Sequence, residues 1–274
     1  MLIGVGKADI TGPIAGVRFF GYGDPGQVGM GLRRRLFARA FAMDSGGRRR
    51  LVVVCDVGIV DEAIRARVLE RLRERAPGWP AAGVLLVASH THSAPGGTSS
   101  YLLYNASILG HSARALELVV SGILAAVDHA LACLRAGSVE LCQGPLADVS
   151  VHRSMAAYLA NPEAERARYA RPFEDELVGL AFRDDAGRPI GWLSWFGLHG
   201  TVFDKTNRLV DPDHSGWAAR AVEEALGPGF VAAFAPGAQG DVSPNRRPTP
   251  DGRLVGEGRD ARETVRLVSD KEAA

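Results

Sequence analysis

Cysteines and aromatic residues are scarce in this chain of 274 residues, and neither sign of charge is in excess. The three cysteines, Cys55, Cys133 and Cys142, are odd in number and none are spaced as CxxC. This argues against a disulfide framework and favours a reducing compartment. The net charge is +1, so the overall charge does not point to nucleic acid or an anionic membrane surface as a partner.

Long apolar runs are also lacking. No stretch reaches the ~18 consecutive apolar residues that predict a transmembrane helix. The first residues, MLIGVGKADITGP, begin a strand-like pattern at once. They lack the basic segment followed by an apolar segment that is typical of a signal peptide. We therefore predict no signal peptide and, from that lack, a cytoplasmic location. What is present, 46% apolar and 23% charged residues, is typical of a globular protein.

Strand-like and helix-like segments interleave, which predicts an α/β fold with a mixed β-sheet core covered by helices in one catalytic-type domain. We assign that domain to residues 1–245. Residues 246–274 are polar and rich in Gly, Pro and Arg, and are predicted to be a poorly ordered tail or the start of a further segment. The predicted elements are strands in the first 60 residues, including 16–23, helices over 61–76, 104–135 with a break at Gly110, 156–173 and 215–226, a hairpin turning at 184–187, and a strand from 230.

Three apolar strands run into loops with chemically capable side chains, the usual place for a cleft in an α/β sheet. These loops carry His90, His92 and Ser93 in 85–97, His199 in 192–200, and Asp241, Ser243 and Asn245 in 230–245.

Each histidine is a weak signal when it is taken alone. His90 and His92 would share one face of an extended segment, as a metal ligand and an acid/base or hydrogen-bonding group, but a bare HxH is equally typical of loop histidines. A single His199 is more often a core histidine.

Two further candidates have equally ordinary explanations. Ser243, in GDVSPN, is outside the GxSxG pattern of a nucleophile elbow and is typical of a turn serine. Arg153 could clamp an anionic or carbonyl oxygen, yet alone it is more typical of a surface arginine. The residues by themselves indicate an α/β hydrolase-like domain, with metal dependence left open.

Several blocks, taken in their order, are more specific. They are VGKADITGP, GYGDPGQ ahead of RRRLFARAF, SHTHSAPGG, DVSVHRSMAAYLANP, GWLSWFGLHGT and FAPGAQGDVSPN, spread over roughly 1–245. With them, the chain resembles the N-terminal catalytic domain of the neutral/alkaline non-lysosomal ceramidase family.

The resemblance implies a zinc amidase that cleaves the amide of ceramide, or of another N-acyl lipid, into sphingosine and a fatty acid. By the same resemblance His90 and His199 are zinc ligands, His92 and Arg153 contact the substrate oxygen, and Ser243 lies beside the scissile carbonyl. We expect zinc-activated water as nucleophile and Ser243 as a positioning group, because no base partner for the serine is evident. Members of the family are often secreted or membrane-associated.

Departures from the family pattern leave alternatives open. Ala94 replaces a glycine of the family's HSGPGG loop. The family completes its zinc shell with a Glu and a Tyr downstream of GDVSPN, and neither those segments nor the C-terminal β-sandwich-like domain has a match here. Carboxylates that could stand in are Asp56, Asp211, Asp213 and Asp241, none of which we assign. A C-terminally truncated, inactive ceramidase-like domain and a metal-independent serine hydrolase using Ser243 therefore remain alternatives.

Overall fold

The computed structural model describes residues 1–248 and 254–256, and one eight-stranded sheet dominates them. Its strands are β1 (Leu2–Asp9), β3 (Phe37–Ser45), β4 (Arg48–Cys55), β5 (Val84–Ala88), β6 (Arg135–Pro145), β8 (Glu176–Asp184), β9 (Pro189–Phe196) and β11 (Val231–Pro236). They lie in the order β11-β9-β8-β6-β1-β3-β4-β5. The pairs β4–β5 and β9–β11 are parallel and the others antiparallel, which confirms the predicted mixed sheet.

Short strand pairs and helices complete the described residues. The short strands are β2 (Gly31–Leu32), β7 (Val151–His152), β10 (Leu209–Val210), β12 (Val242–Ser243), β13 (Arg246–Pro248) and β14 (Leu254–Gly256). The helices are α1 (Glu62–Arg75), α2 (Leu102–Ala106), α3 (Ala113–Ala132), α4 (Met155–Ala160), α5 (Glu163–Arg166) and α6 (Asp213–Leu226), with a 3₁₀ turn at Ala81–Gly83. Side-chain caps begin two of them: Asp61 accepts from the N–H of Ala63, and Ser112 accepts from that of Ala115.

The sheet folds back on itself, so that its strands have two buried faces. On the outer face of β3, small residues such as Ala40 pack against α3, and α1 packs against α3 in the same cluster. On its inner face, Phe41 packs against Phe182 of β8 and Leu193 of β9, from the other half of the sheet. Helix α6 covers the outside of that other half through Ala219. The core of mixed sheet covered by helices is thus confirmed, in the form of two half-sheets between helices.

Helix α3 lies in one of these helical layers. Within the described part of the chain it is long and apolar enough, by length and composition, to span a membrane. Its apolar stripe, which includes Leu116, Val120 and Ile123, is buried against the sheet. This packing is that of a core helix.

Three sequence predictions need correction or qualification. Residues 16–23 form a loop with isolated bridges at Arg18 and Phe19, since glycines at 16, 21 and 23 adopt positive φ. The helix predicted over 156–173 is instead the two short helices α4 and α5. Of 246–274, β13 and β14 are described and pair with each other. The rest of that predicted tail lies outside the described residues.

Candidate metal centre

Three histidine rings converge where β5 and β9 end. His90 and His92 lie in the loop after β5, and His199 follows β9 by three residues. One nitrogen of each ring lies within 4.8 Å of the other two, and Nε2 of His90 is 3.2 Å from Nε2 of His92. The structure therefore brings together the two histidine segments that the sequence placed at one cleft.

Backbone contacts join these two loops. The N–H of His92 donates to Gly200 O at 3.1 Å, next to His199. A Cβ on Gly200 would lie 2.1 Å from His90 O, so glycine is required for the loops to approach this closely. His90 adopts φ 64°, in the left-handed region, so the segment is not extended as predicted. The rings meet because the chain turns sharply at His90 rather than through strand alternation.

Thr91, between the two histidines, stabilises the turn through two hydrogen bonds of its hydroxyl. Its hydroxyl donates to Asp211 O at 2.7 Å and accepts from the N–H of Ser93 at 3.1 Å. The N–H of Asp211 returns a hydrogen bond to Ser93 O at 3.0 Å. The segment leading into α6 therefore holds the histidine loop in place.

The second ring nitrogens distinguish the histidines. Nδ1 of His90 lies 2.6 Å from Gly58 O, and Nδ1 of His199 lies 3.2 Å from Gln239 O. Because a carbonyl oxygen only accepts, both Nδ1 atoms carry the proton and both Nε2 lone pairs are left for a ligand. Nδ1 of His92 is buried and has no hydrogen-bond partner among the described residues. A carbonyl on the far nitrogen is what metal-binding histidines usually have.

Burial keeps this cluster uncharged. It lowers the pKa of His92 to about 3, helped by the positive charge that His90, His199 and Arg153 would carry. Burial, and then Arg153, lowers the pKa of His199 to about 4, and burial also lowers that of His90. All three imidazoles are therefore neutral at pH 7, which is the form that binds a metal ion.

The spacing of the donors fits a tetrahedral metal ion. Two nitrogens bound at 2.0–2.1 Å to tetrahedral zinc lie about 3.3 Å apart. The 3.2 Å between Nε2 of His90 and Nε2 of His92 is close to that value, and the donor nitrogen of His199 lies within 4.8 Å of both other rings. The convergent, neutral nitrogens make the cluster a candidate metal site.

Arg153 and Ser243 lie on a two-stranded ribbon beside the cluster. Ser243 in β12 pairs with Val151 in β7, and the N–H and Nε of Arg153 donate to Asp241 O and Gly240 O at 2.7 and 2.9 Å. The ribbon is tied to the His199 loop because Asn245 Nδ2 donates to Thr201 O at 2.5 Å. Ser243 Oγ accepts from the N–H of Asn245 at 3.0 Å, and no histidine of the described residues hydrogen-bonds to it.

The carboxylates considered from sequence are engaged elsewhere. None of the four belongs to the cluster of metal-ligating groups found in the described residues. Their side-chain partners are Arg39 for Asp56, Trp217 for Asp211, His214 for Asp213 and His152 for Asp241. Asp211 is fully buried, and burial raises its pKa to about 6.

An apolar ridge formed by Tyr101, Leu102, Leu103 and Tyr104 stands near the cluster. Leu102 and Leu103 are 86% and 82% exposed. The ring of Tyr104 lies 6.0 Å from that of Phe20, and Phe20 packs on Gly58, whose carbonyl holds His90. Large exposed apolar patches of this kind mark sites of interaction with apolar partners.

Sequence reasoning missed several residues around the rings. Gly58 and Gln239 act through backbone carbonyls, which no side-chain pattern reveals. The ring of Tyr22 stands edge-on to that of His92, with centroids 4.6 Å apart. Tyr22 belongs to the block GYGDPGQ, but nothing in the sequence connects this block to a histidine seventy residues later.

Comparison with known proteins identifies the chain's relatives. The model of the family described as "Neutral/alkaline non-lysosomal ceramidase, N-terminal" matches residues 1–253. Neutral ceramidases of Drosophila melanogaster and Pseudomonas aeruginosa are both 37% identical, over 89% and 88% of this chain. A crystal structure of the Pseudomonas aeruginosa neutral ceramidase matches with a TM-score of 0.85 and 36% identity over 96% of this chain. The chain spans 36% and 37% of the two relatives' lengths, and 42% of the solved chain.

Proposed function

The chain belongs to the neutral/alkaline non-lysosomal ceramidase family, and on that premise we propose that it carries part of a zinc amidase site. The reaction is hydrolysis of the N-acyl amide of ceramide, or of a similar lipid, to an amine and a fatty acid. The observation that carries this proposal is the cluster of three neutral, convergent histidines in a chain that resembles neutral ceramidases over nearly its whole length.

His90 and His199 are the proposed zinc ligands. Their Nδ1 atoms are held by Gly58 O and Gln239 O, which supports Nε2 as the binding atom of each ring. Imidazole suits zinc better than it suits magnesium or calcium. When bound with an open coordination position, zinc lowers the pKa of a bound water to about 7 and polarises a carbonyl.

His92 and Arg153 are the proposed stabilisers of the charge that develops on the amide oxygen. His92 faces the same point as His90 but lacks the carbonyl on Nδ1, which supports a role other than ligand. Arg153 is fixed through Gly240 O, and its positive charge acts on all three histidines. Each well-placed donor in such a position contributes on the order of 3 kcal/mol to transition-state stabilisation.

Ser243 is proposed to position the substrate carbonyl rather than to attack it. Its hydroxyl accepts from Asn245 and has no basic partner in the described part of the chain, whereas a nucleophilic serine needs an adjacent base. The Tyr101–Tyr104 ridge supports a substrate with an apolar body, since it presents exposed leucine and tyrosine side chains and is linked to His90 through Phe20 and Gly58.

Metal analysis and hydrolysis of a fluorogenic N-acylsphingosine test the proposal on the purified chain. We expect about one zinc per chain, lost in His90→Ala and His199→Ala. His92→Ala and Arg153→Ala should keep zinc but lower turnover by about 10²-fold or more. His111→Ala is the matched control, since His111 is exposed and outside the cluster.

Three outcomes would contradict parts of the proposal. Absence of zinc from wild-type protein, or unchanged zinc in His90→Ala, refutes the metal assignment. Activity that survives a strong chelator and disappears in Ser243→Ala favours the serine hydrolase. Stoichiometric zinc without hydrolysis of any N-acyl lipid favours the inactive ceramidase-like domain.

A further inference from the structure

We propose that Gly21 and Tyr22, in the loop after Phe20, are positioning residues that set the orientation of the His92 ring. The inference deepens the proposed function, on which the role of His92 rests, but its structural basis is separate from the metal. It assigns a role to the GYGDPGQ block.

The His92 ring lacks the usual means of orientation. His90 and His199 are each fixed by a hydrogen bond from Nδ1 to a backbone carbonyl, whereas Nδ1 of His92 has none among the described residues. Its side chain is nevertheless buried. Apart from the 3.2 Å contact of its Nε2 with Nε2 of His90 inside the cluster, the direction of the ring is set by the groups that pack against it.

Gly21 supplies one wall of that packing. A Cβ at this position would lie 2.4 Å from Cγ of His92, and 2.7 Å from both Cδ2 and Nδ1. Real Cβ atoms are never that close to a ring, so any side chain at 21 would have to displace the imidazole. Gly21 also adopts φ 128°, which is unfavourable for other residues.

Tyr22 supplies a second wall and anchors the loop. Its ring meets the His92 ring edge-on, an arrangement that aromatic pairs favour. Its hydroxyl donates to Phe203 O at 2.7 Å, in the segment that follows His199. Tyr22 thus ties the position of the His92 ring to the loop of a proposed zinc ligand.

The rest of the loop is held by its own turn. Asp24 accepts from the N–H of Gly26 through its side chain and from that of Gln27 through its carbonyl. The fully buried Gln27 then donates to His92 O at 3.3 Å. The loop is therefore hydrogen-bonded to the backbone of His92, the residue whose ring it packs against. This bond fixes the distance of Gly21 and Tyr22 from the His92 ring.

A double-mutant cycle between Gly21→Ala and His92→Ala tests this coupling through the melting temperature of the metal-free protein. In the wild-type background, Gly21→Ala should lower the melting temperature on the order of 5 °C, because the new Cβ strains the backbone and strikes the ring. In the His92→Ala background the ring is gone, so that loss should shrink to the backbone strain alone. Equal losses in both backgrounds would overturn the proposal.

Gly23→Ala is the matched control. Gly23 lies in the same loop at φ 66°, but a Cβ there would meet nothing within 4 Å. Its effect on the melting temperature should be the same with and without the His92 ring. A dependence on the ring as large as that of Gly21→Ala would mean that the loop as a whole, and not the contact, is responsible.

Kinetics supply the second readout. If the chain hydrolyses N-acylsphingosine, Gly21→Ala should lower kcat about 10²-fold with zinc content and KM little changed, and should add no loss to His92→Ala. Additive losses would refute the positioning role. The cycle in melting temperature needs no turnover, so a chain without ceramidase activity would contradict the proposed function while leaving the positioning test decisive.

Discussion

Replacing Asp56 by asparagine tests whether this carboxylate stabilises the fold or binds the metal ion. Asp56 follows β4, close in sequence to Gly58, and is an acid that the sequence offered as a candidate for the zinc shell. In the structure its Oδ2 lies 2.9 Å from Nη1 of Arg39 and accepts from the N–H of Phe37 at 2.9 Å. The side chains of Asp56 and Arg39 are 1% and 3% exposed, so the pair is buried.

The size of the effect follows from what asparagine leaves behind. Breaking a buried ion pair by removing one partner costs 3–5 kcal/mol, because the remaining charge is buried without compensation. Arg39 keeps a second carboxylate, since its Nε lies 3.4 Å from Glu223 Oε1, and the asparagine oxygen can still accept from Phe37. We therefore expect the lower end, about 3 kcal/mol, which corresponds to a fall in melting temperature of about 6–12 °C.

Urea unfolding of wild-type and Asp56→Asn protein at pH 7 measures this difference, and metal analysis accompanies it. The control is Asp128→Asn, the same chemical change in a pair with Arg75 in which both side chains are about half exposed. That pair should contribute little. Zinc content should stay at the wild-type level in both variants. Loss of zinc from Asp56→Asn, or a stability equal to that of the control variant, would refute the structural assignment.

Two more predictions concern the histidine loops. Because the pKa of His92 is about 3 in the folded protein and near 6.5 in the unfolded chain, the unfolded state takes up a proton first. The free energy of unfolding of the metal-free protein should fall as pH drops below about 6.5, with His92 contributing about 2 kcal/mol at pH 5. Urea titrations should show a weaker fall in His92→Gln, and an unchanged one would contradict the burial argument. Gly200→Ala, whose Cβ would strike His90 O, should weaken zinc binding about tenfold or more in a competition titration. Gly144→Ala, which meets nothing within 4 Å, should leave zinc affinity unchanged, and equal affinities in the two variants would contradict the close-approach argument.

Local signals explain which elements could be predicted from the sequence. The hairpin of β8 and β9 and helix α1 were predicted because turn residues and an apolar helical face are signals that lie within a few residues of one another. The folding of the sheet on itself was not predicted. It depends on contacts such as Phe41 with Phe182, which are far apart in the sequence. The strand expected at 16–23 was wrong because apolar alternation there is overruled by glycines at positive φ.

The candidate site divides in the same way. His90, His92 and His199 could be singled out because their segments have strand-to-loop patterns and match family blocks. The partners that orient these rings could not be predicted, because Gly58 and Gln239 contribute only backbone carbonyl oxygens. The contact of Gly21 with His92 depends on an absent side chain, which a pattern of residue types does not reveal.

Two buried polar groups of this fold contrast in a way that bears on function. Arg39 is fully buried, and its carboxylate partners Asp56 and Glu223 satisfy it, as stability alone requires. The histidine cluster is not satisfied in this way. Its three imidazoles are buried together, and their pKa values are lowered. His92 Nδ1 has no partner among the described residues, and His90 has a left-handed φ. The unpartnered buried nitrogen and the left-handed backbone lower stability at pH 7, and the lowered pKa values lower it further below about pH 6.5. Apolar side chains in place of the histidines would avoid that cost. A ligand that binds the convergent nitrogens would offset it, and for this reason we propose the cluster, rather than the buried ion pair, as the functional centre.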